Sequence, residues 1–165
     1  FSCYGQKVAQ VLLTRDDLSN PHRYRNARNT LFALLDFGVI PIINENDTVA
    51  TDEIRFGDND KLAALTAVLL KVDILIIATN TNGIYTKASI HDAVPETISL
   101  VTDLDLMQKE VGDSKSSHGT GGMQSKIEAA RIAKSANIET WVVNGLKDNF
   151  IINALQNEIP FTKII

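Results

Sequence analysis

Gly119-Thr120-Gly121-Gly122 lies directly before a helical run whose first turn holds Ser125 and Lys126. Glycines let backbone N–H groups approach an anion, a helix amino terminus adds partial positive charge, and a first-turn lysine adds a full one. The combination suits a phosphate. It is neither the common P-loop, because the lysine stands four residues beyond Gly122, nor a dinucleotide GxGxxG. A surface turn with a solvated lysine is the plain alternative, and the glycines alone lean only modestly toward phosphate, since short glycine motifs recur by chance.

A second constellation joins Asn44-Glu45-Asn46-Asp47, after a short apolar run, to Gly57-Asp58-Asn59-Asp60, before a helical one. A strand end and a helix start of this kind share one rim. Asparagine amides donate to a carboxylate and an aspartate pairs with an ammonium, which together describe an amino acid. Each piece also has a humbler role, as turn formers or as a helix cap of about 1 kcal/mol. The density of amides and carboxylates exceeds what turns and caps require. Thr79-Asn80 is a third candidate at a strand end, although on its own an ordinary strand-end turn is the better account of it. His22, His91 and His118 have neither metal-site spacing nor a serine or cysteine partner, so no metal site is expected. Arg15, Arg23, Arg25 and Arg28 read as solvated helix positions.

The elements that must position these groups follow from periodicity. Lys7 to Leu13 (KVAQVLL) reads as a strand, and Ser19, Asn20 and Pro21 start a helix that Gly38 stops. Within it Ala27, Leu31, Leu34 and Leu35 form one stripe expected to be buried. Val39 to Ile43 (VIPII) is wholly apolar, as expected of a central parallel strand covered on both faces. Asp58 or Asn59 caps a helix to about Leu70, Asp73 to Ala78 is a buried strand, and Asn82-Gly83 makes a turn. Leu104 to Val111 and Met123 to Ala136 are helices, and Thr140 to Val143 closes a third apolar strand. Such alternation predicts a mainly parallel sheet between helices, with ligands at the carboxyl ends of the strands.

Composition narrows the classes. The chain of 165 residues is 44% hydrophobic and 22% charged, an ordinary globular balance, with no repeat or linker to divide it, so one domain over 1–165 is expected. A lone Cys3 excludes an internal disulfide and favours a reducing, cytoplasmic setting. A net charge of −4 offers no general attraction to nucleic acid, and no apolar run reaches the roughly 20 residues that span a bilayer. The partner is expected to be a small molecule. Phe1 stands where a start methionine would, with a strand close behind, so an incomplete amino terminus is expected.

INENDTVATDEIRFGDND from Ile43 to Asp60 and GTGGMQSK from Gly119 to Lys126, in that order, resemble the amino acid kinase family. The resemblance continues through VLLTRDDL and RNARNTLFALLDFGVIPIINEND and covers nearly the whole chain. It implies an αβα sandwich and transfer of the ATP γ-phosphoryl group to the side-chain carboxylate of glutamate, the committing step of proline synthesis. Mg²⁺ would ride chiefly on the nucleotide phosphates. Asp47 and Asn59 match positions that hold glutamate, with Asn44 a neighbouring candidate. Thr79, Asn80, Thr120, Gly121, Gly122, Met123, Gln124, Ser125 and Lys126 match nucleotide-binding positions. Lys126 resembles the lysine that neutralises the transferring phosphoryl group, and Asp60 the aspartate that orients catalytic lysines. Feedback inhibition by proline and a homo-oligomer are expected from the same resemblance.

The chemistry is consistent with the residues. An ionised carboxylate attacks phosphorus without a general base, so no poised histidine is needed. Two departures stand out: Asn80 replaces an aspartate of the family, and the family's opening strand, with its glycine-rich turn and second catalytic lysine, has no counterpart in this sequence. Two alternatives stay open, a sister kinase acting on acetylglutamate, aspartate, carbamate or a nucleoside monophosphate, and a noncatalytic amino-acid sensor of the same fold.

Overall fold

A computed structural model describes residues 1–49, 58–89, 92–111 and 122–165. After a short turn at Ser2–Tyr4 come β1 (Lys7–Leu13), α1 (Arg15–Ser19), α2 (Pro21–Asp36), β2 (Val39–Glu45), α3 (Asn59–Leu70) and β3 (Ile74–Thr79). Then follow β4 (Leu100–Val101), α4 (Leu104–Val111), α5 (Met123–Ser135), β5 (Glu139–Asn144), α6 (Phe150–Leu155) and β6 (Thr162–Ile164). Hydrogen bonding divides the strands into a pair, β1-β2, and a sheet of order β3-β5-β6-β4. Among the described residues three of the strand pairings are parallel, and β5 with β6 is antiparallel.

Local chemistry explains the helix boundaries. Asn20 accepts from the N–H groups of His22 and Arg23, with Pro21 in the first helical position, so α2 begins where an asparagine and a proline together favour it. Asp58 accepts from the Lys61 N–H at 2.8 Å and caps α3. Three helices turn back into strands across left-handed residues: Gly38 after α2, Lys71 after α3 and Asn137 after α5. These short reversals run each helix antiparallel to the strand that follows it. The amino ends of α2, α3 and α5 therefore meet the carboxyl ends of β2, β3 and β5 on one rim.

Packing is layered about the four-stranded sheet. On one face Val142 and Ile164 pack with Met107 of α4 and Ile127 of α5, while Leu75 and Ile77 meet Ala64 and Ala67 of α3. On the other, Trp141 and Val143 pack against Ala154, Phe150 and Phe161. This gives the expected α-β-α layers. Gly83, at φ +123°, lies where a Cβ would stand 2.6 Å from the Thr162 hydroxyl, and that hydroxyl accepts from the Ile84 N–H at 2.7 Å. Only glycine fits there, which explains the turn at Asn82-Gly83.

Two expectations about burial are corrected. Val39 to Ile43 was expected to be covered on both faces, but Ile40 and Ile42 are 42% and 43% exposed and share their face with Val8 and Leu12. Among the described residues the helices cover only the side that carries Val11, Leu13 and Ile43, where Leu62 and Leu65 sit. Leu35 was assigned to the buried stripe of α2 but is 46% exposed, whereas Leu31 is fully buried. The stripe is narrower than the spacing suggested. An apolar groove of about 380 Å³ lies between Pro41 and Ile43 of β2 and Ile74 to Ile76 of β3, floored by α3. Among the described residues, no helix is long and apolar enough to cross a membrane.

Candidate active site

The rim is built at the ends of α3 and α5. Asp60 stands in the first turn of α3 and Lys126 in the first turn of α5, and their side chains meet across the helix pair with Nζ 2.9 Å from Oδ2. Both are largely buried, at 13% and 16% exposure. The same Oδ2 faces the Ser125 hydroxyl at 2.8 Å, and that hydroxyl also lies 2.8 Å from the Gly122 carbonyl. The amino ends of two helices and Lys126 meet here, and the carboxylates of Asp58 and Asp60 offset part of that positive charge.

The two helix starts differ in a way that bears on function. Asp58 caps α3 with its own carboxylate, whereas Gly122 at the start of α5 offers no side-chain cap. Gly122 has no side chain with which to cap the leading N–H groups of α5. Gln124 is exposed and its side-chain oxygen accepts from Gln108 at 3.4 Å. Met123 packs against the core around Ile127. Ser125 is buried, at 9% exposure. Thr120 and Gly121 lie outside the described residues.

The acceptor-side candidates gather at the neighbouring strand ends. Asn44 is exposed near the carboxyl end of β2, opposite Leu12 of β1, and Asp47 is exposed in the turn beyond it. The Asn46 N–H bonds to the Leu13 carbonyl at 2.9 Å, fixing that turn onto β1. Asn59 is the exposed first residue of α3. Leu62, one turn on, packs with Leu13 and Ile43, which sets the start of α3 beside the ends of β1 and β2. Thr79 ends β3, and its hydroxyl lies 3.5 Å from the side-chain oxygen of exposed Asn80.

Around this rim the structure adds groups that the sequence did not mark. Asn144, ending β5, donates its amide to the Asn82 side chain at 3.0 Å, and its own oxygen accepts from the Leu146 N–H. Gly145 donates to the Thr79 carbonyl at 2.8 Å and lies so close to Ala78 that a Cβ would come within 2.9 Å of it. A glycine directly after a buried apolar strand was the available signal. At the end of β1, Asp17 takes the Thr14 hydroxyl and N–H, each at 2.7 Å, and the Arg23 guanidinium at 3.2 Å. Burial alone would raise the Asp17 pKa, but these donors together hold it below the usual range. His22 is exposed with its ring 3.4 Å from the Asn26 amide, and Arg23 pairs with Asp16 and Asp17. His91 and His118 lie outside the described residues.

Helices packed on a mainly parallel sheet, with the Lys126–Asp60 pair at the helix starts, define a layered α/β protein with a candidate ligand site at its strand ends. The chain belongs to the Amino acid kinase family, whose sequence profile matches residues 1–144. It is 42% identical over its whole length to Glutamate 5-kinase 2 of Pseudoalteromonas translucida, and 47% identical over 93% of its length to Glutamate 5-kinase of Geobacter metallireducens. It spans less than half of these relatives, 45% of the first and 42% of the second. Among solved structures, isopentenyl phosphate kinase of T. acidophilum in a product complex superposes with a TM-score of 0.62 at 19% identity, over 98% of this chain and 61% of that one. That likeness concerns the fold alone.

Proposed function

We propose that this chain forms part of a kinase that transfers the γ-phosphoryl group of ATP to the side-chain carboxylate of L-glutamate, giving an acyl phosphate that feeds proline synthesis. The observation that carries it is the Lys126–Asp60 pair, which joins the first turns of α5 and α3. The similarity to two glutamate 5-kinases supports the choice of acceptor.

In this reading the leading N–H groups of α5, with Gly121, Gly122, Met123, Gln124 and Thr120, cradle the nucleotide phosphates, and Thr79 and Asn80 bind on the β3 side. Lys126 turns from Asp60 to the transferring group and neutralises its charge, the dominant need of a phosphoryl transfer. Asp60 holds that lysine in place beforehand. Asn44 and Asn59 donate amide hydrogen bonds to the acceptor, and Asp47 pairs with its ammonium. Mg²⁺ is assigned chiefly to the nucleotide phosphates rather than to protein ligands. When bound, the ion neutralises phosphate charge.

The test is to supply the full-length gene product with ATP, Mg²⁺ and glutamate in the presence of hydroxylamine. An acyl phosphate is captured as a coloured hydroxamate in step with ADP release. ADP release with no hydroxamate would rule out a carboxylate acceptor. A reducing, cytoplasmic setting, proline as feedback inhibitor and a homo-oligomeric assembly complete the proposal.

A further inference from the structure

We propose that Asn144 is a positioning residue for the nucleotide side of the site, whose side chain ties the turn after β3 to the end of β5 and so sets where Thr79 and Asn80 stand. The inference rests on the reading of Thr79 and Asn80 as nucleotide contacts given above.

β3 and β5 run parallel, and their register ends on the pair Thr79 and Asn144. Beyond it the two segments part, β3 into the turn at 80–83 and β5 into the residues from Gly145 onward. Two consecutive residues of β5 and its exit reach across this fork. The Gly145 N–H bonds to the Thr79 carbonyl at 2.8 Å, and the Asn144 amide donates to the Asn82 side chain at 3.0 Å. Thr79 and Asn82 flank Asn80, so the turn is gripped on both sides of it. The first contact needs only backbone atoms, whereas the second depends on the side chain at 144.

The direction of the Asn144 amide is fixed locally. Its oxygen accepts from the Leu146 N–H at 3.0 Å, and a backbone N–H can meet only an acceptor, so the amide nitrogen is turned to Asn82. The atom of Asn82 that receives it is then the oxygen. The far side of the turn is held as well. The Asn82 N–H donates to the Tyr85 hydroxyl at 3.0 Å, the Thr81 hydroxyl donates to the Gly83 carbonyl at 2.7 Å, and Gly83 is wedged against Thr162. Asn82 and Asn144 are half-buried, where a hydrogen bond meets less competition from water, while Asn80 is exposed. An asparagine accepts through one atom and donates through another, so what Asn80 offers a ligand depends on how its turn presents it. A turn fixed before the nucleotide arrives lowers the ordering cost of binding.

The experiment measures the ATP Kd by calorimetry, together with kcat and KM for ATP and for the acceptor, in the full-length protein as wild type, Asn144→Ala, Asn82→Ala and the double variant. Asn144→Ala is expected to weaken ATP about three- to tenfold in Kd and KM, the effect of one neutral hydrogen bond, while kcat and KM for the acceptor stay within about twofold. Asn82→Ala cuts the same bond from the turn side and should match it. The double variant should be no more than about twofold worse than either single one, because the two side chains act as a unit. A merely structural role would lower Tm and leave ATP affinity alone, and an unchanged ATP Kd in Asn144→Ala would overturn the inference. Equal weakening of ATP and acceptor, or multiplicative losses in the double variant, would overturn it too. Should Asn144→Ala fail to fold, Asn82→Ala decides: wild-type ATP affinity there sinks the proposal. Wild type that binds ATP but transfers to another acceptor would defeat the glutamate assignment alone, since the Kd ratios still stand. Absence of ATP binding by the wild type would sink both.

Discussion

Replacing Lys126 with alanine separates what the Lys126–Asp60 pair does for folding from what it does for chemistry. Both side chains are less than one-fifth exposed and their charged atoms are 2.9 Å apart. Breaking a buried pair from one side costs about 3–5 kcal/mol because the other charge is stranded. Here the Ser125 hydroxyl still reaches Asp60 and some water has access, so the lower end, about 3 kcal/mol, is expected in urea unfolding. A domain of ordinary stability survives that loss. Lys126→Ala should therefore remain folded while losing about 10²–10³-fold in kcat, the usual effect of removing one group that stabilises transition-state charge. Combining Lys126→Met with Asp60→Leu removes both charges and should recover most of the stability without recovering turnover. Hydroxamate formation reports the chemistry and the urea midpoint the fold. Wild-type kcat in Lys126→Ala, or activity returning along with stability in the double variant, would refute the reasoning.

Other expectations are simpler to check. Thr14→Ala removes the capping box that starts α1 and should cost about 1 kcal/mol by thermal or urea unfolding. Asp17 has a depressed pKa in the folded chain, so its contribution is present above the unfolded value near 4 and is lost as pH falls through the lower folded value. Acid titration of stability should thus show a loss below about pH 4 that shrinks in Thr14→Ala. Gly83→Ala forces a Cβ against Thr162 at a left-handed φ and should destabilise by about 2 kcal/mol or more, visible as a lowered Tm. Lys163→Met, breaking an ion pair with Glu139 whose partners are both more than one-third exposed, should change stability by less than about 1 kcal/mol.

What the sequence disclosed was governed by how local each signal is. Asp58, Asn20-Pro21 and Gly38 act on their immediate neighbours, so α2 and α3 were bounded almost to the residue. The strand Lys7–Leu13 was placed at its observed limits, and β2 runs beyond its apolar run to include Asn44 and Glu45. α1 escaped notice although Thr14-x-x-Asp17 is a capping-box pattern, because a helix of five residues has no periodicity to detect. The two-residue β4 and three-residue β6 are strands by virtue of long-range pairing, β4 with β6 and β6 also with β5, which no local pattern encodes. Leu35 was misassigned because helical spacing alone does not say how wide a face the rest of the chain will cover. Within the site, Lys126 and Asp60 were both singled out from their motifs. Their contact, bridging 66 positions, and the hydrogen bond from Ser125 to the same carboxylate depend on α3 packing on α5 and could be seen only in three dimensions.

The acceptor is the central claim, and the most direct measurement is kcat/KM of the full-length gene product across glutamate, aspartate, acetylglutamate, carbamate and a nucleoside monophosphate, followed by ADP release. The acceptor site proposed at Asn44, Asp47 and Asn59 predicts that glutamate gives the highest value, by at least about tenfold over aspartate, whose side chain is one methylene shorter. A higher kcat/KM for any other acceptor would contradict the assignment.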